Sequence, residues 1–390
     1  MQNSDYSKFN NSHRVSLACW TMCGVILLIL GFLPALPSEL TQVLRPAFIL
    51  VCLLPAGYYK MKSEKWQLVL LVYWFFILVL NPIKMSTVKS YAALALFGLF
   101  FVFAATRVWT KREIKIIFNT VVAVSVFFSL ALIYMNDGII HHEDGMHISF
   151  FSFVMNRNTG AFGCVPGALC ATVGLFYGKR RFTSKSLYSI AIGICSFTVF
   201  ALASRSAFVS LAVGIVLIFW QNTNEKPGYQ NKFIAKVATI IAVLLAVQIA
   251  YLLAQGTSCE RLFDFDDDSG RGEMWDKAWV LIDEKPVFGG GFDYWADNSG
   301  EYLGTHNTFL SVMVSSGYVG GALLGLFFIS IFIEALKVKN WVPLAFLIEL
   351  LMHSYTESGM DYYAYFPLIL AFILIRYLTY QSRDLSTIFN

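Results

Sequence analysis

Charge is what this sequence has least of: Asp, Glu, Lys and Arg make up 14% of its 390 residues, against about 25% in a soluble globular domain. Apolar residues fill 57% of it. That balance excludes an ordinary water-soluble domain and makes lipid the main solvent. Patterned cysteines are lacking too. Cys19, Cys23, Cys52, Cys164, Cys170 and Cys195 lie inside apolar runs, where a thiol behaves as a small hydrophobe. Cys259 alone sits in a polar loop, so no zinc or disulfide framework is indicated. No cleavable leader is apparent, because the polar start gives way at Val15 to a run as long as a membrane span; it reads as an uncleaved first helix. No internal repeat and no low-complexity tract is evident. The net charge of +4 carries no argument by itself, and no nucleic-acid partner is expected.

What is present is a succession of apolar runs between charged punctuation. A spanning helix needs about 20 apolar residues, so the chain has room for a dozen. The candidates are roughly 15–35, 42–59, 66–82, 88–106, 114–135, 159–177, 186–203, 206–220, 233–254, 308–335, 341–356 and 362–380. Pro46 and Pro55 interrupt the second, which membrane helices tolerate. The expected fold is all-α: one polytopic membrane domain over residues 1–390, with one larger outer loop over 255–305.

Orientation follows from Lys and Arg. With twelve spans and both termini cytoplasmic, 20 of the 29 cations fall on the cytoplasmic side. They include Arg107, Lys111, Arg112 and Lys115, then Lys179, Arg180, Arg181 and Lys185. Of the 25 acidic residues, 18 fall on the other side. The outer face is therefore periplasmic if the membrane is a bacterial inner membrane.

Polar groups placed there against cost are the candidates for chemistry. Ser204-Arg205-Ser206 joins two nearly abutting runs, so it turns at the membrane surface. A guanidinium suits phosphate because its donor fork binds two oxygens at once; position alone fits an interface anchor that snorkels to headgroups at least as well. Gly270-Arg271-Gly272 opens a second feature. Met274, Trp275, Ala278, Trp279, Leu281 and Ile282 then recur at helical spacing, which predicts an amphipathic helix in the outer interface. Pro286 and Gly289-Gly290-Gly291 end it. Arg271 stands at its start, where free backbone N–H groups also favour an anion; a packed lid helix with a solvated Arg fits the same pattern. The third feature is Thr305-His306-Asn307, where the loop re-enters the membrane. A histidine at a wet–dry boundary titrates near neutrality and suits a general base, although a lone histidine is more often structural.

Other groups are less specific. His141, His142, Glu143, Asp144 and His147 cluster in the shorter outer loop without a recognised ligand pattern. Asp264, Asp266, Asp267 and Asp268 lack the EF-hand arrangement. Glu349 and His353 stand one helical turn apart inside the eleventh span, where ionisable groups are functional hypotheses by default; pairing with each other is the plainer alternative.

The three outer features occur in a set order: SRSAFVSLAVGIVLIF, GRGEMWDKAWVLIDEKPVFGGGFDYW and THNTFLSVMVSSGYVGG. In that order they resemble the bacterial O-antigen ligase/polymerase superfamily over about residues 200–325. The shared pattern is an Arg between adjacent spans, an Arg before a Trp-containing helix, a Pro-x-x-Gly-x-Gly turn, and His-Asn followed by a Gly-x-x-Gly segment. The turn here is Pro286–Gly291, and the last element is Gly317-Tyr318-Val319-Gly320.

The resemblance implies a metal-independent, inverting glycosyltransferase with no cofactor. The donor would be a glycan on undecaprenyl diphosphate in the inner membrane, and the acceptor a saccharide or lipid-linked saccharide. His306 matches the family's proposed base, and Arg205 and Arg271 match its diphosphate-engaging arginines. Asn307, Trp275 and Arg157 join them as supporting residues. Two branches share this core. A polymerase joins lipid-linked repeat units; a ligase moves the finished chain to lipid A–core. Compactness of the chain leans slightly to polymerase. A lipid-linked oligosaccharide flippase would also carry twelve helices, but transporters often show internal repeats and broken midplane helices. A non-catalytic membrane scaffold is the third class.

Overall fold

The computed structural model describes residues 16–26, 72, 107–138, 147–150, 153–178, 182–225, 241, 245–264, 271–291, 293–300, 304–357, 362–381, 385 and 388. The expected spans at 42–59 and 88–106, most of that at 66–82, half of that at 233–254, residues 27–35 of the first and the His141–Asp144 cluster lie outside them.

The chain is an α-helical polytopic membrane protein. Its helices are α1 (Leu17–Ile26), α2 (Lys111–Met135), α3 (Arg157–Tyr177), α4 (Phe182–Ala201), α5 (Arg205–Glu225), α6 (Leu245–Ala254), α7 (Arg271–Glu284), α8 (Tyr294–Asn298), α9 (Thr308–Lys337), α10 (Val342–Thr356) and α11 (Tyr362–Tyr380). Among the described residues α2, α3, α4, α5 and α9 are long and apolar enough to cross a membrane. Leu187, Ile190 and Phe197 on α4, and Leu326, Ile329 and Ile333 on α9, face outward, as lipid-facing positions must.

α3 is the central staff. It is buried along nearly its whole length and packs on α2, α4, α5, α10 and α11. Small residues allow this closeness: a Cβ on Gly167 would lie 2.1 Å from the Ser125 side chain of α2. α5 runs past its apolar stretch because Gln221, Asn222 and Thr223 are buried. The Gln221 side chain accepts from the Trp341 N–H at 3.1 Å, tying α5 to the start of α10.

Two features were not foreseen. At one end of α2, Thr110 and Glu113 form a capping box, and the Glu113 carboxylate also holds Arg107 at 2.9 Å. At the other end lies a short antiparallel hairpin, β1 (His147–Phe150) with β2 (Phe153–Asn156), pairing Ile148 with Met155. Asn136, just beyond α2, holds it as a strand neighbour would. Its Nδ2 donates to the Ser149 carbonyl at 2.9 Å and its Oδ1 accepts from the Ser149 N–H at 2.8 Å. β2 then runs directly into α3, capped by the Asn156 side chain.

Candidate functional site

The site is built where helices α3, α5, α7 and α9 begin and α10 ends. α4 finishes at Ala201, Ala203 turns with φ of 48°, and α5 starts at Arg205. The turn expected at Ser204-Arg205-Ser206 is therefore present, but Ser204 and Ser206 are buried and Arg205 is only partly exposed. α7 starts at Arg271 and buries Ala278, Leu281 and Ile282 against Leu310 and Val314 of α9. Trp275 packs against the same cluster, whereas Trp279 and Val280 face outward. α9 starts after His306-Asn307; the Asn307 Oδ1 caps it by accepting from the N–H groups of Phe309 and Leu310.

The glycine motifs form a main-chain clasp between α7 and α9. Helix α9 is interrupted at Gly317, whose φ is 64° and ψ −169°. The turn after α7 lies against this break. Gly290 and Gly291 donate to the carbonyls of Val314 and Ser315 at 3.0 and 2.9 Å, and Tyr318 N–H donates to Pro286 at 2.7 Å. The backbones approach so closely that a Cβ on Gly317 would lie 2.3 Å from the Val287 carbonyl oxygen, and one on Gly289 2.4 Å from Ser316 N. Both glycines also adopt positive φ, which glycine accepts without penalty.

The clasp fixes Arg271 relative to His306, and a third residue joins them. Glu357 caps the end of α10 and is 6% exposed. Its Oε2 lies 3.1 Å from His306 Nδ1. Its Oε1 accepts from Asn158 Nδ2 at 2.9 Å and lies 3.5 Å from Arg271 Nη2. Thr308 Oγ1 donates to the Glu357 carbonyl at 2.9 Å. Burial pushes the Glu357 carboxyl up, but the His306 hydrogen bond and charge, Asn158 and Arg271 outweigh it and hold it below its usual range. His306 itself sits with φ of 47°, in the left-handed region, where a non-glycine residue is uncommon.

The remaining predicted residues fall around this centre. Trp275 Nε1 donates to the Thr305 carbonyl at 3.0 Å and the indole stands edge-on to Tyr355, ring centres 5.5 Å apart. Arg157 is the first residue of α3, beside Asn158. Arg205 is one step away: its guanidinium donates to the Asp264 carbonyl. Its neighbour Ser206 accepts from Thr356, adjacent to Glu357, at 3.1 Å. Glu349 and His353 are buried below Glu357 on the same side of α10 and do not bond each other. His353 stacks on Phe162 of α3, centroids 4.4 Å apart. Among the described residues no group of three His, Cys, Asp or Glu side chains is arranged to hold a metal; Asp266, Asp267 and Asp268 lie outside them.

Glu357 and Asn158 were missed by sequence reasoning. An acidic residue just past a span looks like any solvated loop residue. The available signal was the i, i+4, i+8 alignment of Glu349, His353 and Glu357, which carries one polar stripe out of the helix to the surface.

A family model described as O-antigen ligase matches residues 190–325. Over that segment the chain is similar to the O-antigen ligase/polymerase superfamily, the resemblance its ordered motifs carry. No curated protein sequence matches it. The matched segment includes Arg205, Arg271, both halves of the glycine clasp and His306. The match supports an activity of the O-antigen ligase/polymerase type, with lipid-linked glycan and saccharide or lipid substrates in general. Asn158 and Glu357 lie beyond both ends of the match.

Proposed function

We propose that this protein is an inverting glycosyltransferase of a bacterial inner membrane. It moves a glycan from undecaprenyl diphosphate to a saccharide acceptor at the periplasmic face. The observation that carries the reading is the convergence of His306 and Arg271 on the one buried carboxylate of Glu357. Lys and Arg asymmetry supports the orientation, with both termini cytoplasmic.

The helix starts add a second support. Arg157, Arg205 and Arg271 are the first residues of α3, α5 and α7, and neither α3 nor α5 has an acidic residue in its first turn. A cation at a helix N-terminus opposes the macrodipole. An anion between such starts reverses the sign of that interaction and also accepts from the free N–H groups. A diphosphate fits this electrostatic arrangement.

The chemistry then follows atom by atom. With Glu357 ionised, the proton of neutral His306 belongs on Nδ1, which leaves Nε2 with a lone pair. Nε2 takes the acceptor hydroxyl proton as that oxygen attacks the anomeric carbon from the face opposite the diphosphate. The bond between the anomeric carbon and the diphosphate oxygen breaks, and its electron pair stays on the diphosphate. Arg271 and Arg205 stabilise that charge in a partly dehydrated site, without a metal or cofactor. Glu357 stabilises the imidazolium, as a carboxylate partner does for a catalytic histidine.

Polymerase remains the favoured branch, on the compactness of the chain. Ligase is the second reading, favoured by the spacing from His306-Asn307 to Gly317–Gly320. Reconstitution with a lipid-linked repeat unit, with and without lipid A–core, separates them: a ladder from the lipid-linked unit alone means polymerase, and a single transfer that needs core means ligase. In the same assay His306→Ala is expected to lower turnover by about 10²–10⁴-fold with the protein still folded; full activity in that variant would remove the base role. EDTA is expected to leave turnover unchanged, and loss restored by magnesium or calcium would contradict the metal-free step.

A further inference from the structure

The Glu357 carboxylate is shared unequally. Asn158 and His306 hold its two oxygens at 2.9 and 3.1 Å. Arg271 Nη2 stands at 3.5 Å from Oε1, near enough for charge attraction but beyond the usual range of an N–H hydrogen bond. The Arg271 side chain is also the most exposed of these three, at 19% against 14% for His306 and 7% for Glu357. Arg271 is thus the partner best placed to turn away. Asn158 is neutral and comes from a different helix, so it keeps the carboxylate in place whichever way Arg271 points.

The charges near Glu357 come from every element packed there. α9 brings His306, α7 Arg271, and α3 Arg157 beside Asn158; α10 itself brings His353 one turn below, and α5 brings Arg205 through the Ser206–Thr356 contact. While Arg271 faces Glu357, its positive field weakens the carboxylate's hold on a protonated His306. An anion bound to Arg271 cancels that field, and the low dielectric of the buried pair magnifies the change.

We propose that Glu357 couples donor binding to base strength: a diphosphate that engages Arg271 frees the Glu357 carboxylate to act on His306 alone, so His306 becomes a stronger base only when the donor is loaded. Asn158 is the positioning residue that makes this handover possible. The inference rests on the reading of His306 as base and Arg271 as diphosphate ligand. It adds an order to the reaction: donor first, then acceptor deprotonation. Nothing is transferred covalently in this step; only the partner of one carboxylate oxygen changes.

The test uses the full-length protein in nanodiscs with isotope-labelled histidine. The His306 signal is assigned by its absence in His306→Gln. Inorganic pyrophosphate is the probe, and its binding is measured in parallel in wild type and Arg271→Ala. Saturating pyrophosphate is expected to raise the His306 titration midpoint by about one pH unit. In Glu357→Gln most of that rise is expected to vanish, and Glu357→Asp, which keeps the charge, is expected to retain it. A rise of equal size in wild type and Glu357→Gln would overturn the coupling, because the anion would then be acting on His306 directly. Bound pyrophosphate with no rise in wild type would overturn it as well. Failure of the underlying reading looks different: pyrophosphate would not bind, or would bind equally well to Arg271→Ala.

Discussion

Two buried arginine–carboxylate contacts sit at opposite ends of this bundle, and they are built to opposite purposes. Arg107 and Glu113, at the start of α2, are closed on themselves. Glu113 Oε1 takes Arg107 Nη2 at 2.9 Å and the Ser16 N–H at 3.3 Å; Oε2 takes the Thr110 N–H and hydroxyl, both at 3.0 Å. The Arg107 guanidinium lies over the Trp109 ring, 4.6 Å from its centroid. Because Ser16 immediately precedes α1, this cluster locks the first helix to the rest. Arg271 and Glu357 are left open. Their contact is longer, the arginine is more exposed, and the carboxylate also serves a histidine. Identical charges become a lock where every oxygen is saturated and a working site where the arginine stands farther from the carboxylate it faces.

The two arginines are expected to break different observables. Arg107→Ala leaves Glu113 buried without its cation and should cost about 3–5 kcal/mol of stability. It is read as a lower melting temperature in detergent, with turnover per folded molecule unchanged. Arg271→Ala should lower turnover by about 10²–10³-fold with little change in melting. Similar melting losses in both variants would erase the contrast. A substitution at the clasp should move both quantities. Gly317→Val adds a side chain against the Val287 carbonyl at a positive φ, and should cost on the order of 3 kcal/mol. Transfer should fall with it, because Arg271 and His306 lose their common frame.

Acid sharpens the comparison at one end. Glu357 is held below the ordinary carboxyl value of 4.5, so its contribution is complete above that pH and is lost as pH falls through the lowered value. Wild type should therefore lose the His306–Glu357 contact as pH falls below the ordinary carboxyl range, followed as a fall in melting temperature that Glu357→Gln no longer shows in that window. The smallest effect is expected inside the span. Neither carboxyl oxygen of Glu349 has a hydrogen-bond partner among the described residues. Glu349→Met should raise stability by about 1 kcal/mol, and a lower melting temperature would show that the carboxyl has a partner after all.

Among the described residues the spans were legible in the sequence because lipid leaves the backbone few choices: a run must satisfy its own N–H groups, and a helix does so. The helices around the site follow the apolar runs closely, and Arg271 begins the helix that its sequence spacing predicts. The hairpin was not legible. HISF and FVMN are four residues each, too short for alternation to stand out, and what anchors them is distant in sequence: the Asn136 side chain and the burial of Ile148 in the core. At the site, the ordered motifs carried Arg205, Arg271 and His306, since each stands beside a turn that interrupts an apolar pattern. Glu357 was hidden for a different reason. It lies 51 residues from His306 and 199 from Asn158, and nothing local in Thr356-Glu357-Ser358 announces a partner that folding alone brings near.

The clasp has a consequence for how such a protein diversifies. Gly291 is hydrogen-bonded to Ser315 on one side, and Thr305 is held by Trp275 on the other. The segment between them is therefore a bracket with both ends anchored and α8 as its main-chain filling. Surface segments of this kind accept insertions with modest entropic cost. Residues added between Gly291 and Thr305 would change what overhangs the outer face while leaving Arg271, His306 and Glu357 in register. The main-chain clasp separates the part that performs the transfer from the part free to vary in length.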